Sequence, residues 1–334
     1  MVDYEKIILA HGSGGKVMHS FLKDTLRAYL PIDRFYDSAI LKIPSGDVAF
    51  TTDSFVVSPL FFPGGDIGSL AVYGTVNDLT MVGSEPRFIS LSLIIEEGFP
   101  INDLNRILNS IREASKTAGV QVVTGDTKVV QKGKGDGIFI NTAGIGVFSK
   151  EKMFTPDRIK PGDVIILSGS IGNHGMAVMA ERNGLSFEPP VLSDTRPLNK
   201  LLEEVIEFSD SIHALRDPTR GGLATTLKEF ALETNLCIEI DESNIPIKQQ
   251  VRGACEILGL DPLYVANEGI FVAFVDEDMS KSVLERLRRH PYGKEASIIG
   301  KVKKSPGGMV LLNTEFGGTR MLDMLTGDQL PRIC

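Results

Sequence analysis

The first half of the chain alternates short apolar runs with longer segments whose apolar residues recur at helical spacing. The runs that are rich in β-branched and apolar residues predict strands at 47–57, 87–97, 120–130 and 137–148. A periodic segment predicts a helix over 66–83, with Asp66 as its N-cap and Gly83 as its stop. A second helix is predicted over 101–119, ending at Gly119. This alternation predicts a domain of mixed helices and strands.

A polar segment rich in proline and glycine at 149–163 predicts a domain boundary. Beyond it the two patterns mix again. The predicted strands are "DVIILSG", "CIEID", "EGIFVAFVD", "ASIIGKV" and "GMVLL", and the predicted helices span 197–208, 222–234, 247–258 and 280–290. We therefore predict an N-terminal domain at 1–150, a second domain at 151–318 and a mobile tail at 319–334.

Composition narrows the class of protein. With 334 residues the chain is long enough for about two domains, each with an apolar core. It holds 43 acidic and 35 basic residues, and no run of Lys and Arg breaks the acidic excess, so no nucleic-acid or membrane partner is expected. No apolar run reaches the roughly 18 residues of a membrane-spanning helix. The 3 cysteines are odd in number and far apart, which argues against a disulfide framework and favours a cytoplasmic location.

Cys334 differs from the other two cysteines. Cys237 and Cys255 lie in apolar periodic segments, where a thiol acts as a small buried hydrophobe. Cys334 is the last residue, in the sequence "PRIC", and a terminal thiol is open to oxidation. Prenylation needs a cysteine further from the end and does not account for it. Cys334 is therefore either accidental or chemically used.

The segment "HGSGGK" at 11–16 is a candidate phosphate loop. It matches neither the Walker pattern nor the dinucleotide-binding pattern. Its glycines, Gly12, Gly14 and Gly15, would let backbone N–H groups approach an anion. A plain exposed turn is the simpler alternative.

Asp78 lies on the apolar face of the predicted helix 66–83, within about 40° of Ile67 and Ala71 at 100° per residue. Burial of an unpaired carboxylate is costly, so Asp78 needs a partner, either a hydrogen-bond donor or a metal. Three more aspartates in this half of the chain lie at predicted strand ends or at a predicted helix start: Asp53, Asp66 and Asp126. Several hard oxygen ligands together favour Mg²⁺ and a bound nucleotide.

Two motifs in the second half add weaker signals. "RDPTRGGLATTLKEF" at 216–230 places Arg220 at the start of a helix, where free N–H groups favour an anion, although a simple capping turn explains it equally. "NEGIFVAF" places Glu268 just before a buried strand. Alone, Glu268 is a charge at the end of a strand.

Taken in order, these motifs resemble the PurM-like (aminoimidazole ribonucleotide synthetase-like) ATP-binding superfamily, and within it the HypE family of hydrogenase maturation factors. The motifs that carry the resemblance span the chain: "HGSGGK", "FTTDSFVV", "GDIGSLAVYGTVNDLTMVGSEP", "VVTGDTKVV", "GIFINTAG", "RDPTRGGLAT", "NEG" and "PRIC". Other PurM-like enzymes share the middle motifs in looser form. The terminal motif is the specific one.

The resemblance implies an α+β, two-domain PurM-like architecture. The N-terminal α/β domain would form a shared β-barrel in a homodimer, and the C-terminal domain would be an α/β sandwich. HypE proteins receive a carbamoyl group on the C-terminal cysteine from the carbamoyltransferase HypF. They dehydrate it with ATP to a thiocyanate, and the cyanide passes to iron held by the HypC–HypD complex, for [NiFe] hydrogenase.

The resemblance also implies roles for individual residues. Cys334 would carry the substrate, Glu268 would be the general base, and Lys128 would bind or polarise the thiocarboxamide. Mg²⁺–ATP would be held by the aspartates and their neighbours, with the glycine loop covering the phosphates: Asp53, Asp66, Asn77, Asp78, Asp126, Asp217 and Arg220. The expected metal ligands are Asp53, Asp78 and Asp126.

Two alternatives remain open at this point. One is another PurM-like ATP-dependent synthetase. Selenophosphate synthetases usually have a cysteine or selenocysteine near the glycine loop, and residues 1–20 contain none. The other is a non-catalytic carrier whose terminal thiol only ferries a group.

Overall fold

The computed structural model describes residues 5–8, 11, 21–29, 46–148, 153–324 and 333. The glycines of the predicted phosphate loop and Cys334 lie outside the described residues. A short helical segment at Leu22–Tyr29 precedes the first sheet. No helix of the described part combines the length and hydropathy needed to span a bilayer.

A four-stranded sheet forms the core of the N-terminal half. Its strands are β1 (Val48–Phe55), β4 (Glu85–Glu96), β5 (Gln121–Val130) and β6 (Ile138–Val147). They lie in the order β1-β6-β4-β5, with β4 and β5 parallel and the other pairs antiparallel. A two-stranded hairpin, β2 (Phe61–Phe62) and β3 (Gly65–Asp66), leads into the first long helix. The four strands predicted from the sequence in this half are confirmed.

Two helices, α1 (Ile67–Met81) and α2 (Ile101–Ala118), accompany this sheet. Both predicted helices are confirmed, including the Asp66 N-cap and the left-handed Gly119 that ends α2 with φ 75°. α1 is buried on most of its surface, because it packs on the sheet and also contacts the second half of the chain. Gly74 permits its close approach to β1, since a Cβ there would come within 2.8 Å of the Phe55 ring.

The second half is built on a seven-stranded sheet with the order β13-β12-β9-β11-β7-β10-β8. Its strands are β7 (Val164–Leu167), β8 (Ile212–Arg216), β9 (Cys237–Asp241), β10 (Val272–Val275), β11 (Ser297–Lys303), β12 (Val310–Asn313) and β13 (Thr319–Leu322). The helices are α3 (Asn173–Arg182), α4 (Asn199–Glu203), α5 (Gly222–Thr234), α6 (Gln249–Leu258) and α7 (Glu277–Arg289). Buried apolar clusters cover both faces of the sheet.

Three features of this half differ from the sequence prediction. The predicted helix 197–208 is only the short α4, followed by a 3₁₀ turn at Ile206–Phe208. Helix α3 and strand β8 were not predicted, because α3 begins between two glycines and β8 carries a histidine and an arginine in a run of 5 residues. The buried residues of α3 surround the helix instead of forming one apolar stripe, and His213 and Arg216 interrupt the apolar pattern of β8.

The chain does not leave the second domain at residue 318. Thr319–Leu322 forms the edge strand β13, paired with β12, and Leu322 is fully buried. The predicted start of the tail at 319 is therefore corrected, since a buried leucine and ladder hydrogen bonds fix 319–322 in the sheet. Ile333 is also buried, so the end of the chain returns to the protein.

Candidate functional site

Four carboxyl groups from different elements face one another between the two halves of the chain. Asp53 lies on β1, Asp78 on α1, Asp217 directly after β8, and Glu268 shortly before β10. Their negative charges act on each other's pKa values, which places them in one neighbourhood. We call these four residues the carboxylate cluster. Asp217 and Glu268 lie at the same end of the antiparallel pair β8–β10, in which Arg216 is aligned with Val272.

Local contacts hold the N-terminal members in place. The hydroxyl of Thr51 donates to Oδ2 of Asp78 at 2.9 Å, and the N–H of Ser54 donates to Oδ1 of Asp53 at 2.7 Å. Oδ2 of Asp53 lies beside α1, 3.6 Å from the position that a Cβ of Gly74 would take. Asp78 thus has a hydrogen-bond donor, as a half-buried carboxylate requires, and still faces other carboxylates.

The site raises the pKa of each carboxyl group in the cluster. Burial is the main cause for all of them. It raises the pKa of Asp53, that of Asp78 to about 6 and that of Asp217 to about 7, with neighbouring carboxylates adding to the last two. The pKa of Glu268 is raised well above its usual range by burial and then by Asp217 and Asp194. Such a set of acids is poised to exchange protons for a cation.

The donor set fits Mg²⁺. Hard carboxylate oxygens are its preferred protein ligands, and it usually keeps several waters and takes only one or two carboxylates with phosphate oxygens. A tight cage is therefore not required. Within the described residues, the one tight group of possible ligands is Asp163, His213 and Asp276, whose ligand atoms lie within 4.8 Å of one another. In that group His213 Nδ1 lies 2.7 Å from Oδ2 of Asp163 and Lys160 pairs with Asp276 at 2.6 Å, while Oδ1 of Asp163 is buried without a hydrogen-bond partner.

Backbone contacts fix the position of Glu268. Asp194, which the sequence did not single out, accepts the N–H groups of Glu268 at 3.3 Å and Gly269 at 3.0 Å. Asn77 donates to the carbonyl oxygen of Glu268 at 3.2 Å, and its own oxygen accepts the N–H of Leu198 at 2.8 Å. Asn77 is fully buried. It therefore positions Glu268 between the two halves, and its amide is already engaged.

Asp66 is occupied as a helix cap. Its Oδ1 accepts the N–H groups of Gly68 at 2.7 Å and Ser69 at 3.0 Å, and the Ser69 hydroxyl accepts the N–H of Asp66. Ser110 on α2 donates to its second oxygen. The structure does not bring Asp66 into the carboxylate cluster.

Asp126 and Lys128 lie on the other face of the first sheet. Strand register aligns Asp126 with Ser92, Ser92 with Asn141, and Asn141 with Ser54, so these four side chains share one face. Asp53 instead pairs with the buried Thr142, whose hydroxyl donates to a carbonyl of α1. Lys128 pairs with Asp126 at 3.1 Å, and both side chains are exposed. The expected ligand Asp126 is therefore separated from Asp53 by the sheet itself and by the two strands, β6 and β4, that lie between β1 and β5, and it does not join Asp53 and Asp78.

Arg220 lies close enough to Asp53 for its positive charge to lower the pKa of that carboxyl, against the larger effect of burial. It precedes α5, whose N-cap Gly221 has φ 80°. The structure therefore brings Arg220 to the cluster, as an anion site there requires. Gly12, Gly14, Gly15 and Cys334 cannot be compared in this way, because they lie outside the described residues.

An open cleft of about 840 Å³ adjoins the cluster. Asp78 and Asp217 contribute to its lining, together with Phe50, Phe154 and Phe230. Its volume is in the range of small-molecule sites, and its apolar walls beside acidic groups suit a molecule with a flat ring and a metal-bound anionic end. No sequence motif indicated this cleft, because its walls come from separate segments of both halves.

Comparison with known proteins agrees with this architecture. The models for the AIR synthase related protein, N-terminal and C-terminal domains, match residues 36–148 and 160–313. The chain is therefore a two-domain, PurM-like protein, and the expected α+β fold class is confirmed. The predicted boundary between the two domains, at 150 and 151, stays a prediction.

Closer relatives narrow the assignment. The carbamoyl dehydratase HypE of Azotobacter vinelandii is 48% identical over 329 residues, 98% of this chain and 96% of that protein. A crystal structure of the hydrogenase maturation protein HypE in complex with ATP matches with a TM-score of 0.93 and 44% identity, covering 98% of this chain and 99% of that one. A chain of the HypE–HypF complex matches with a TM-score of 0.81 and 46% identity, covering 93% and 100%. This chain belongs to the HypE family of hydrogenase maturation proteins.

Proposed function

We propose that this protein uses ATP to dehydrate a carbamoyl group carried on the sulfur of Cys334 to a thiocyanate, for the cyanide ligands of a [NiFe] hydrogenase. One observation carries the proposal. The end of the chain is packed inside the protein at Ile333, next to the residues that hold Glu268 and the carboxylate cluster. The membership in a family of carbamoyl dehydratases and the ATP-bound relative support it.

The reaction balances in two steps. The thiocarbamate oxygen attacks the γ-phosphorus of ATP, so a C–O–P linkage forms and the bond to ADP breaks. The carbon–oxygen bond then breaks, and the former carbonyl oxygen leaves as part of inorganic phosphate. The nitrogen loses its two protons, which gives S–C≡N. Catalysis of such a transfer consists mainly of positioning and charge neutralisation.

The residues of the site suit these tasks. Glu268 is the proposed general base for the N–H protons, held in place through its backbone by Asp194 and Asn77. Arg220 would hold phosphate oxygens, and the apolar cleft would accept the nucleoside. Asp53, Asp78 and Asp217 are the proposed ligands of Mg²⁺, which would neutralise the phosphate charge when bound. Asp66 would affect the site only indirectly, by capping the first turn of α1.

The partners follow from the same proposal. A HypF-type carbamoyltransferase would load Cys334, as the complex of a relative with HypF suggests, and a HypC–HypD-type complex would accept the cyanide. The cytoplasmic location expected from the cysteines stays a prediction.

We also propose a homodimer formed through the open face of the first sheet. Large apolar side chains are exposed there, with Phe50 at 69% and Val48 and Ile94 at 43%. Asp126 and Lys128 share this face, so a partner subunit would bring them to the interface. Phe50→Glu should convert the protein to a monomer in sedimentation at micromolar concentration. A wild-type protein that is monomeric and fully active would exclude this arrangement.

Intact-mass spectrometry tests the central proposal. The full chain, incubated with the carbamoyltransferase, carbamoyl phosphate and ATP, should gain one carbamoyl group and then lose one water only when ATP is present. Cys334→Ser should block both changes, because a serine hydroxyl is a much weaker nucleophile than a thiol unless an adjacent base activates it. ATP-dependent loss of water from the Cys334→Ser protein would refute the proposal.

A further inference from the structure

The next-to-last residue of the chain is fixed inside the protein at two points. The side chain of Ile333 is 3% exposed and belongs to the same buried apolar cluster as Phe62, Val178 and Ala266. Its carbonyl oxygen lies 2.8 Å from Nε2 of His174, at the start of α3. Cys334 follows directly, and consecutive Cα atoms are about 3.8 Å apart, so these contacts restrict where its sulfur can reach.

The hydrogen bonds around His174 define its tautomer. A carbonyl oxygen can only accept, so Nε2 of His174 must carry the proton that it donates to Ile333. Nδ1 then accepts from the Ser193 hydroxyl, 2.9 Å away, which itself accepts the N–H of Thr195 at 3.1 Å. The ring is fully buried and packs edge-on against Phe62 at 5.3 Å. Burial lowers the pKa of His174, which favours this neutral form.

His174 also connects the end of the chain to the proposed base. The Asp194 carboxylate is near enough to act on the His174 ring, and the same carboxylate accepts the N–H groups of Glu268 and Gly269. The peptide that precedes Cys334 and the peptide of Glu268 are thus held by neighbouring residues. Neither His174 nor Asp194 touches the open cleft.

We propose that His174 is a positioning residue that holds the C-terminal tail in the dehydration site by donating a hydrogen bond to the Ile333 carbonyl. The proposal rests on the proposed function, in which Cys334 must both reach a donor enzyme and return to Glu268. A single hydrogen bond suits that need. Its net contribution shifts an equilibrium by roughly 2- to 12-fold, enough to favour the docked tail without locking it.

The first test reads the tautomer directly and involves no catalysis. In ¹⁵N-labelled full-length protein, the imidazole of His174 should show the neutral Nε2–H form, with a proton that exchanges slowly with solvent. Removal of Ile333 and Cys334 should abolish that protection and leave the other histidine signals in place. A protonated Nδ1, or an unchanged His174 signal in the shortened chain, would overturn the proposal.

The second test uses two matched substitutions. The amide nitrogen of a glutamine can occupy the position of Nε2, whereas that of asparagine reaches only as far as Nδ1. His174→Gln should therefore keep the tail docked. His174→Asn should raise the alkylation rate of Cys334 by roughly 2- to 12-fold, measured on the C-terminal peptide by mass spectrometry. Equal rates in the wild type and His174→Asn would overturn the proposal.

A tail-side variant covers the case in which the core does not tolerate a change at His174. Ile333→Ala should raise the Cys334 alkylation rate on the order of 30-fold or more, while Ile333→Val should have a small effect. Rates that do not depend on residue 333 would contradict a docked tail. The His174 signal and the Cys334 alkylation rate can be measured even if no ATP-dependent loss of water is found. Failure of the proposed function is therefore distinguishable from failure of the proposed role of His174.

Discussion

The carboxyl group of Glu268 is almost completely buried among other carboxyl groups. Its pKa is raised by burial first and then by the negative charges of Asp217 and Asp194, all of which disfavour the ionised form. A general base must be ionised when it acts. A cation that neutralises the cluster would remove part of the repulsion that raises this pKa. The proposed base is therefore coupled to occupation of the nucleotide site through charge.

Substitution of Glu268 by glutamine isolates its proton. The amide keeps the size of the side chain and should leave the fold and the carbamoylation of Cys334 unchanged. ATP-dependent loss of water should slow by about 10²- to 10⁴-fold, the usual contribution of a general base. Intact-mass time courses give both rates. Dehydration at the wild-type rate would move the role to another residue, and Asp217 would be the first to examine.

At the scale of single elements, helix α1 carries one of the predicted site residues at each of its ends. Asp66 caps its first turn and Asp78 lies near its last, one turn before Met81. The cap hydrogen bonds and the contact with Ser110 give the aspartate at position 66 a structural role that does not depend on nucleotide binding. Because an orderly start of α1 sets the position of Asp78, Asp66 affects the site indirectly.

A pair of substitutions at position 66 separates capping from binding. Asparagine is as good an N-cap as aspartate, whereas alanine loses about 0.5–2 kcal/mol of stability. Asp66→Asn should keep the free energy of unfolding and the affinity for Mg²⁺–ATP near wild type, and Asp66→Ala should lower stability. Denaturant titration and calorimetric ATP binding measure the two quantities. A large loss of affinity in Asp66→Asn with unchanged stability would show that the charge itself contacts the nucleotide.

The elements also show what sequence patterns could predict. Long periodic segments such as α2 and the strands of the first sheet were correct to within a few residues, because one face of each is buried and repeats regularly. Helix α3 was missed, and with it His174, because its buried residues surround the helix and leave no single apolar stripe in the sequence. Asp194 lies in a segment without regular structure, where spacing carries no information.

At the scale of the whole molecule, the site exists only where the two domains meet. The family motifs predict that Asp78 and Asp217 lie close together. They do not predict that Asp126 lies apart from Asp53 and Asp78, because that depends on which face of the sheet each strand residue takes. Strand register decides that, and a shift of one residue would reverse it. The cleft likewise combines Phe50 from the first domain with Phe230 from the second. Long-range pairing of this kind leaves no mark in local sequence.

The same arrangement predicts how pH and Mg²⁺ act on stability. Asp78 and Asp217 come from different domains, and their pKa values rise from 3.8 to about 6 and about 7, mainly through burial. A carboxyl group with a raised folded-state pKa binds protons more tightly in the folded protein. Its contribution to stability is therefore complete below pH about 4 and is lost as pH rises through about 6 to 7. In EDTA, the cluster should favour unfolding increasingly over this range.

Comparison with Asp78→Asn isolates this effect from other titrating groups. In EDTA the two proteins should melt at similar temperatures near pH 4, and the variant should melt at the higher temperature by pH 8. Mg²⁺–ATP should raise the melting temperature of the wild type and leave the variant nearly unchanged, because ligand binding to the folded state stabilises it. Asp126→Asn, on the opposite face of the sheet, is the control and should keep the profile of its parent protein when both are held monomeric by Ile94→Glu, a change on the same exposed face but outside the cleft. A wild-type profile in Asp78→Asn, in both pH dependence and response to Mg²⁺–ATP, would mean that the carboxylate cluster is not the cation site.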